Sequence, residues 1–201
     1  QGRRPEVIPA DMNKSVDCVL CGACGADILV RPVALETAIG NAHSFPTDPV
    51  LLMTGGLACN TGIAMARLGM KTGILAYVGT DEWGDKVHDT LAREGMDCER
   101  LLRHPSEGTS TSVLLISAEG ERSFAQSGYS SYKLDRRVML SHLDLFARSR
   151  MMLVGYYSQI PELEEDLPEV LAAIRDTGCQ TALDSGATGG SLQPLDRILP
   201  H

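Results

Sequence analysis

Two groups of residues in this chain could hold a polar ligand. The Gly55–Gly56 pair stands where an apolar run, Leu51–Thr54, turns into a small-residue helix, and Asn60 falls on the first turn of that helix. Bare glycine backbone can touch a ligand closely, and N–H groups at a helix N-terminus attract polar or anionic oxygens. The pattern therefore predicts a ligand site at the start of this helix, with a phosphate or another anion as one candidate.

Asp27 is the second candidate. It follows an apolar run, Val16–Cys21, that predicts a central parallel strand, and Gly22–Asp27 leaves the carboxyl end of that strand. Ligands of open α/β sheets bind outside the carboxyl ends of strands, which favours a ligand contact for Asp27. The alternative is a turn aspartate that caps nearby backbone. The residues alone leave both interpretations open.

A dinucleotide site is disfavoured at the same place. The fingerprint G-x-G-x-x-G is absent after the first strand, and Ile28–Leu35 continues with strand character and a proline, where a helix would be required. This counts against a nucleotide-binding oxidoreductase of the Rossmann type.

Three cysteines form a C-x-x-C-x-x-C run, which is also found at metal and iron–sulfur sites: Cys18, Cys21 and Cys24. The run lies in a predicted strand and its exit. Because side chains alternate faces along a strand, Cys18 and Cys24 should point opposite to Cys21. We therefore interpret the cysteines as small buried residues in a reducing compartment and predict no metal site.

Length and charge narrow the class of protein. The chain has 201 residues, enough for one domain or part of a larger one, and a net charge of −8, which argues against a nucleic-acid partner. No apolar run is long enough for a membrane span, and no signal peptide is apparent, so we expect a soluble, cytoplasmic protein. Residues 1–15 are polar and aperiodic and are predicted to be a disordered leader.

Apolar periodicity predicts alternating strands and helices over the remaining chain. Two extended segments flank a polar loop at 36–49, and a hairpin turns at Ala118–Glu121. The other predicted elements are a strand at Thr72–Val78, helices at Asp85–Glu94, Asp135–Phe146 and Leu163–Thr177, and strands at Arg150–Tyr156 and Gln180–Asp184.

A longer pattern surrounds the glycine pair. It reads G-G-x-x-x-N-x-x-x-A-x-x-x-L-G over 55–69 and is followed by V-G-x-D-x-x-G over 78–84. Together these strings resemble the N-terminal signature of the ribokinase-like, or PfkB, carbohydrate kinases. The resemblance covers essentially Val16 to His201.

The resemblance implies a fold and an activity. The fold is a Rossmann-like three-layer α/β/α sandwich with a small β-sheet lid, the lid segments being about 28–54 and 109–127 and the domain, 16–201, being incomplete. The activity is ATP-dependent and Mg²⁺-dependent phosphorylation of a hydroxyl on a sugar or related small molecule. Asp27, Gly55, Gly56 and Asn60 would then hold the substrate, and a homodimer formed through the lid is compatible with the family.

Two departures from the family limit these expectations. The second signature, D-T-x-G-A-G-D, which carries the catalytic base, is absent, so no catalytic or metal-binding residue is assigned and the chain alone is expected to be inactive. Tyr129 follows Gly128 where many members have Gly-Ala and an asparagine, so we assign no substrate role to the loop Ser127–Lys133. A non-catalytic ligand-binding or interaction module and a nucleoside (adenosine-type) kinase stay open as alternatives.

Overall fold

The computed structural model describes residues 14–36 and 44–186. In that part of the chain the strands are β1 (Val16–Gly22), β2 (Gly25–Val30), β3 (Leu51–Gly55), β4 (Thr72–Val78), β5 (Leu101–Arg103), β6 (Thr111–Ile116), β7 (Arg122–Ser127), β8 (Ser149–Gly155) and β9 (Gln180–Asp184). The α-helices are α1 (Leu57–Arg67), α2 (Glu82–Arg93), α3 (Arg136–Ser141), α4 (Leu143–Ala147) and α5 (Leu167–Asp176). Residues 1–13 of the predicted leader lie outside the described residues.

A parallel five-stranded sheet forms the centre of the protein, in the order β5-β4-β1-β8-β9. Successive residues of β1 face opposite sides of it. Cys18 and Leu20 pack with α1 and α2, whereas Val19 and Cys21 pack with α3, α4 and α5. This arrangement confirms the predicted three-layer sandwich, with an aliphatic core on each side of the sheet.

A second, four-stranded sheet of order β3-β2-β6-β7 forms a lid. Only Ala23 and Cys24 separate β1 from β2, so the chain leaves the core and enters the lid almost at once. The sheet therefore begins at Gly25, three residues before the predicted lid segment. The β6–β7 hairpin has the predicted turn, in which the N–H of Gly120 donates to the carbonyl of Ser117.

Helix boundaries differ from the predictions where side chains bind backbone groups. The predicted helix Asp135–Phe146 is two helices separated by His142, whose φ of −117° is not helical. The hydroxyl of Ser141 donates to the carbonyl of Val138, and Nδ1 of His142 lies 2.8 Å from the same oxygen. The N–H of His142 donates instead to Met139, so the helix ends there.

Two helices also start at residues that differ from the predicted ones. Helix α2 starts at Glu82, three residues earlier than predicted, because Asp81 caps it by accepting the N–H of Gly84. Helix α5 starts at Leu167, four residues later than predicted, and Pro168 lies in its first turn, where proline needs no N–H partner.

Candidate functional site

A shallow cleft, open to solvent, lies between the lid and the carboxyl end of β1. Asp27, Gly55 and Gly56 all line it. Three of the four residues predicted to bind a ligand are therefore brought together, although they belong to separate segments of the sequence.

Asp27 lies inside β2 and not in a turn, so its interpretation as a turn cap is wrong. Its backbone pairs with Met53 and Ser112 on the flanking strands. Among the described residues no donor hydrogen-bonds its carboxylate, and burial raises the pKa of this group above its ordinary value. A half-buried carboxylate without a partner is an open acceptor for ligand hydroxyl groups.

The glycine pair makes room for this arrangement. A β-carbon on Gly55 would overlap the Asp27 carboxylate, and one on Gly56 would overlap the carbonyl oxygen of Ala23. Gly56 also has a φ of +84°, which side-chain-bearing residues rarely adopt. The glycines thus let Asp27 and the start of α1 come close together under the lid.

Asn60 does not line the cleft. It lies on α1 outside the buried face formed by Leu57, Ala58 and Cys59, and its side chain is exposed. Its backbone N–H donates to the carbonyl of Gly56 in the first helical turn. The position on the first turn was predicted correctly, but the structure does not bring this side chain to the other three residues.

The loop after the β6–β7 hairpin, Ser127–Lys133, lines the cleft, although the sequence predicted no substrate role for it. Tyr129, Ser131 and Tyr132 all face it, and the rings of the two tyrosines lie 5.4 Å apart. The hydroxyl groups of Ser110 and Ser131 are 2.8 Å apart and join the loop to the start of β6. The sequence signal for this loop was Tyr129 after Gly128, where many family members have Gly-Ala. We interpreted that difference as loss of a substrate-binding role, whereas the tyrosine lines the cleft.

Two more cleft residues, Ser112 and Gln126, were also missed. Both stand directly across the lid sheet from Asp27, in the row Asp27–Ser112–Gln126. Residues directly opposite one another in neighbouring strands share a face of the sheet. Strand register, which the sequence did not reveal, would have identified them.

The V-G-x-D-x-x-G motif, residues 78–84, connects the lid sheet to the core through hydrogen bonds. The carboxylate of Asp81 accepts hydrogen bonds from the N–H and the hydroxyl of Thr109, immediately before β6, as well as from Gly84. Arg103 adds a contact by donating to the carbonyl of Gly79 and to Asp85. The motif therefore fixes the start of lid strand β6 to the core.

The cysteine run does not converge. Cys18 and Cys24 belong to the core cluster on one side of the central sheet and Cys21 to the cluster on the other, as the strand alternation predicted. Sγ of Cys24 instead lies 3.3 Å from Sγ of Cys59 on α1. No group of three or more metal-ligating side chains occurs within residues 14–36 and 44–186.

Comparison with known proteins identifies the family of this chain. The model of the pfkB family carbohydrate kinases matches residues 47–200. The chain belongs to this family. The ribokinase of Bacillus subtilis is 30% identical over 151 residues, which are 72% of this chain and 47% of that protein. The fructokinase of Vibrio alginolyticus is 37% identical over 75 residues, 37% of this chain and 24% of that protein.

Solved structures agree with the fold of this pfkB family chain. The Arabidopsis thaliana ribokinase complexed with ribose and ATP superposes with a TM-score of 0.68 at 19% identity, covering 86% of this chain and 54% of that one. The chain thus spans about half the length of these ribokinases. No helix in the described part of the chain is long and apolar enough to cross a membrane.

Proposed function

We propose that the protein carrying this chain transfers phosphate from ATP to a hydroxyl group of a sugar, and that this chain holds the sugar. The observation that supports the proposal is the unpaired Asp27 carboxylate, which lies over Gly55 in a cleft between core and lid. Membership of a carbohydrate kinase family supplies the reaction class.

In this proposal Asp27 accepts hydrogen bonds from two neighbouring hydroxyl groups of the sugar. A carboxylate has about four lone-pair sites and can accept both at once. The sugar lies close to the backbone of Gly55 and Gly56, and the lid strands exclude water that would otherwise compete for the phosphate.

ATP and Mg²⁺ do not fit the described residues. Within residues 14–36 and 44–186 no acidic cluster suited to a metal occurs, and the chain's 201 residues contain no D-T-x-G-A-G-D string. The carboxylate of Asp81 is occupied by Thr109 and Gly84. We therefore assign no nucleotide contact or catalytic base to this chain and propose that, alone, it binds sugar without transferring phosphate.

The names of the relatives suggest the substrates to test first. Ribokinase and fructokinase indicate a pentose and a ketohexose, respectively. The test is a panel of pentoses, hexoses and nucleosides, with binding measured by calorimetry on this chain and ADP release measured on the protein at its natural length. Binding that requires Asp27 supports the proposal. A chain that binds no sugar would overturn it, and tight binding of nucleosides alone would establish the nucleoside kinase alternative.

We also propose that the protein forms a homodimer through the lid sheet. The basis is a row of apolar side chains on this sheet, next to the polar row Asp27–Ser112–Gln126. Leu51, Leu29, Leu114 and Phe124 stand directly opposite one another across the four lid strands. Leu51 is 46% exposed and Phe124 is 55% exposed, which is unusual for side chains of this size. Light scattering should give twice the chain mass, and Phe124→Glu should give the monomer mass.

A further inference from the structure

Two buried thiols face each other where the chain passes from the core into the lid. Sγ of Cys24, in the two-residue link between β1 and β2, lies 3.3 Å from Sγ of Cys59 on the first turn of α1. The thiols of Cys18, Cys98 and Cys179 donate instead to backbone carbonyls. The contact between two sulfurs therefore sets Cys24 and Cys59 apart from these three.

The backbone holds the two cysteines in this position. The N–H of Ala58 donates to the carbonyl of Ala23 at 3.0 Å, and each of these alanines immediately precedes one of the cysteines. A β-carbon on Gly56 would lie 2.9 Å from the backbone nitrogen of Cys24, so the link is in contact with the start of α1. An S–S bond is about 2.05 Å long, and the sulfurs need to approach by roughly 1.2 Å to form one. Side-chain rotation with a small backbone adjustment can supply a movement of this size.

A small oxidant has a route to one of the two sulfurs. Cys24 lines the cleft with 2% of its surface exposed, whereas Cys59 is fully buried. The hydrogen bond with Cys59 and burial raise the pKa of the Cys24 thiol, so thiolate is scarce at neutral pH and the first reaction is slow. The second reaction is fast by comparison, because Cys59 is held beside Cys24 and needs no further encounter.

We infer that Cys24 and Cys59 form a site of reversible oxidation, at which a small peroxide such as hydrogen peroxide converts the two thiols into a disulfide. The sulfur of Cys24 attacks one peroxide oxygen, so that an S–O bond forms, the O–O bond breaks and the thiol proton leaves in a first water molecule. The sulfur of Cys59 then attacks the sulfur of Cys24, so that the S–S bond forms and the S–O bond breaks, and a second water leaves with the other thiol proton. The thiol pair loses two electrons, and the peroxide is reduced to two water molecules. A dithiol reductant reverses the change by thiol–disulfide exchange.

The disulfide would join the lid to the core by a covalent bond. The segment between the two cysteines contains β2 and β3, which are two of the four lid strands. Closing this segment into a loop removes freedom from the unfolded chain, so the oxidised protein should melt roughly 5–10 °C above the reduced protein. The inference does not depend on sugar binding, because it concerns the bond and its effect on unfolding.

The test is a peptide map of the protein at its natural length after treatment with hydrogen peroxide, with free thiols blocked in urea before digestion. We expect a cross-linked pair of peptides that contain Cys24 and Cys59 and are together lighter by two hydrogen atoms, and we expect dithiothreitol to restore both thiols. A map in which both cysteines keep free thiols would overturn the inference, and so would one in which either is joined to the half-buried Cys98. An unchanged melting temperature of the cross-linked protein would show that the bond does not stabilise the lid on the core.

Variants separate the disulfide from other effects of the oxidant. Cys59→Ala leaves Cys24 without a partner, so peroxide should no longer raise the melting temperature. Cys18→Ala is the matched control, because Cys18 is a buried residue of the same core cluster whose thiol donates to a carbonyl, and it should form the disulfide as the unsubstituted protein does. A rise in melting temperature that persists in Cys59→Ala would contradict the assignment. The map of the unsubstituted protein gives a result even where a substitution impairs folding.

Discussion

The carboxylate of Asp81 receives two hydrogen bonds from Thr109, one from its backbone N–H at 2.8 Å and one from its hydroxyl. The same hydroxyl accepts the N–H of Gly79. Asp81 also caps α2, so one side chain joins a core helix to the first residues of a lid strand. The position of β6, and with it Ser112, depends on this junction.

Replacing Asp81 with asparagine should destabilise the protein by about 1–2 kcal/mol, because an amide replaces a charged acceptor of three hydrogen bonds on a partly exposed group. Burial acts to raise the pKa of Asp81, but hydrogen bonds from Thr109 and Gly84 outweigh it and lower the pKa. The stabilisation is therefore present above the unfolded-state pKa of about 3.9 and is lost as the pH falls through the lower folded value. Urea unfolding across this range measures the difference, with the exposed Asp89→Asn as control. A constant difference down to pH 2 would contradict this assignment.

Asp27 should show the opposite pH dependence. Because burial raises its pKa in the folded state, its contribution to stability is greatest below the unfolded value and is lost as the pH rises through the folded one. Asp27→Asn should therefore raise the melting temperature at neutral pH and weaken sugar binding by tenfold or more, since hydrogen bonds to charged groups are worth about 1.5–3 kcal/mol. The exposed Asp176→Asn should change neither quantity. A melting temperature that falls on Asp27→Asn would show that the carboxylate has a stabilising partner.

The glycine before α1 is expected to be irreplaceable, in contrast to a glycine within the helix. Gly56→Ala places a side chain at positive φ and against the Ala23 carbonyl, and the strained backbone alone costs roughly 1–3 kcal/mol. Gly62→Ala meets the end of the buried Met96 side chain, which is easier to displace than a backbone carbonyl, and gains about 1 kcal/mol of helix propensity. Thermal unfolding of the two variants should differ accordingly. Equal stability would mean that the α1 start does not depend on this conformation.

The cysteines should be unreactive in the folded protein. Burial raises the pKa of Cys18, Cys98 and Cys179 to about 11, so few thiolates exist at pH 7.5. All six cysteines should react quickly with a chromogenic disulfide in urea and slowly without it, with the half-buried Cys98 first and faster as the pH rises. Rapid reaction of a cysteine in native protein at pH 7.5 would contradict these environments.

The fold could be predicted from sequence because its signals are local. The turn at Ala118–Glu121 and the strands at Thr72–Val78 and Gln180–Asp184 each depend on a few neighbouring residues, and the structure confirms all three. The break at His142 was missed because it arises from side chains that compete for one carbonyl within an otherwise regular apolar pattern.

The site could be predicted only in part, because it depends on register. Asp27 was located, but its strand conformation was not, since the chain re-enters a sheet after only two residues. Ser112 and Gln126 become site residues through pairing across strands that lie far apart in sequence. Asn60 is the opposite case. It was predicted as a site residue from its place in the motif, but the motif does not determine where its side chain points, and the side chain lies outside the cleft.

The four crossings between core and lid lie close together, at Gly25, Gly55, Thr109 and Gly128. Of the described lid-strand residues, Ala26 is the one that belongs to a core cluster, so the side chains that face the cleft from the lid lie outside both clusters. We therefore expect mutations on the cleft face of that sheet to alter ligand preference with little effect on the stability of the core. This separation offers an evolutionary route to new substrates, and it predicts that the strands beyond these crossings can be exchanged between relatives as a unit.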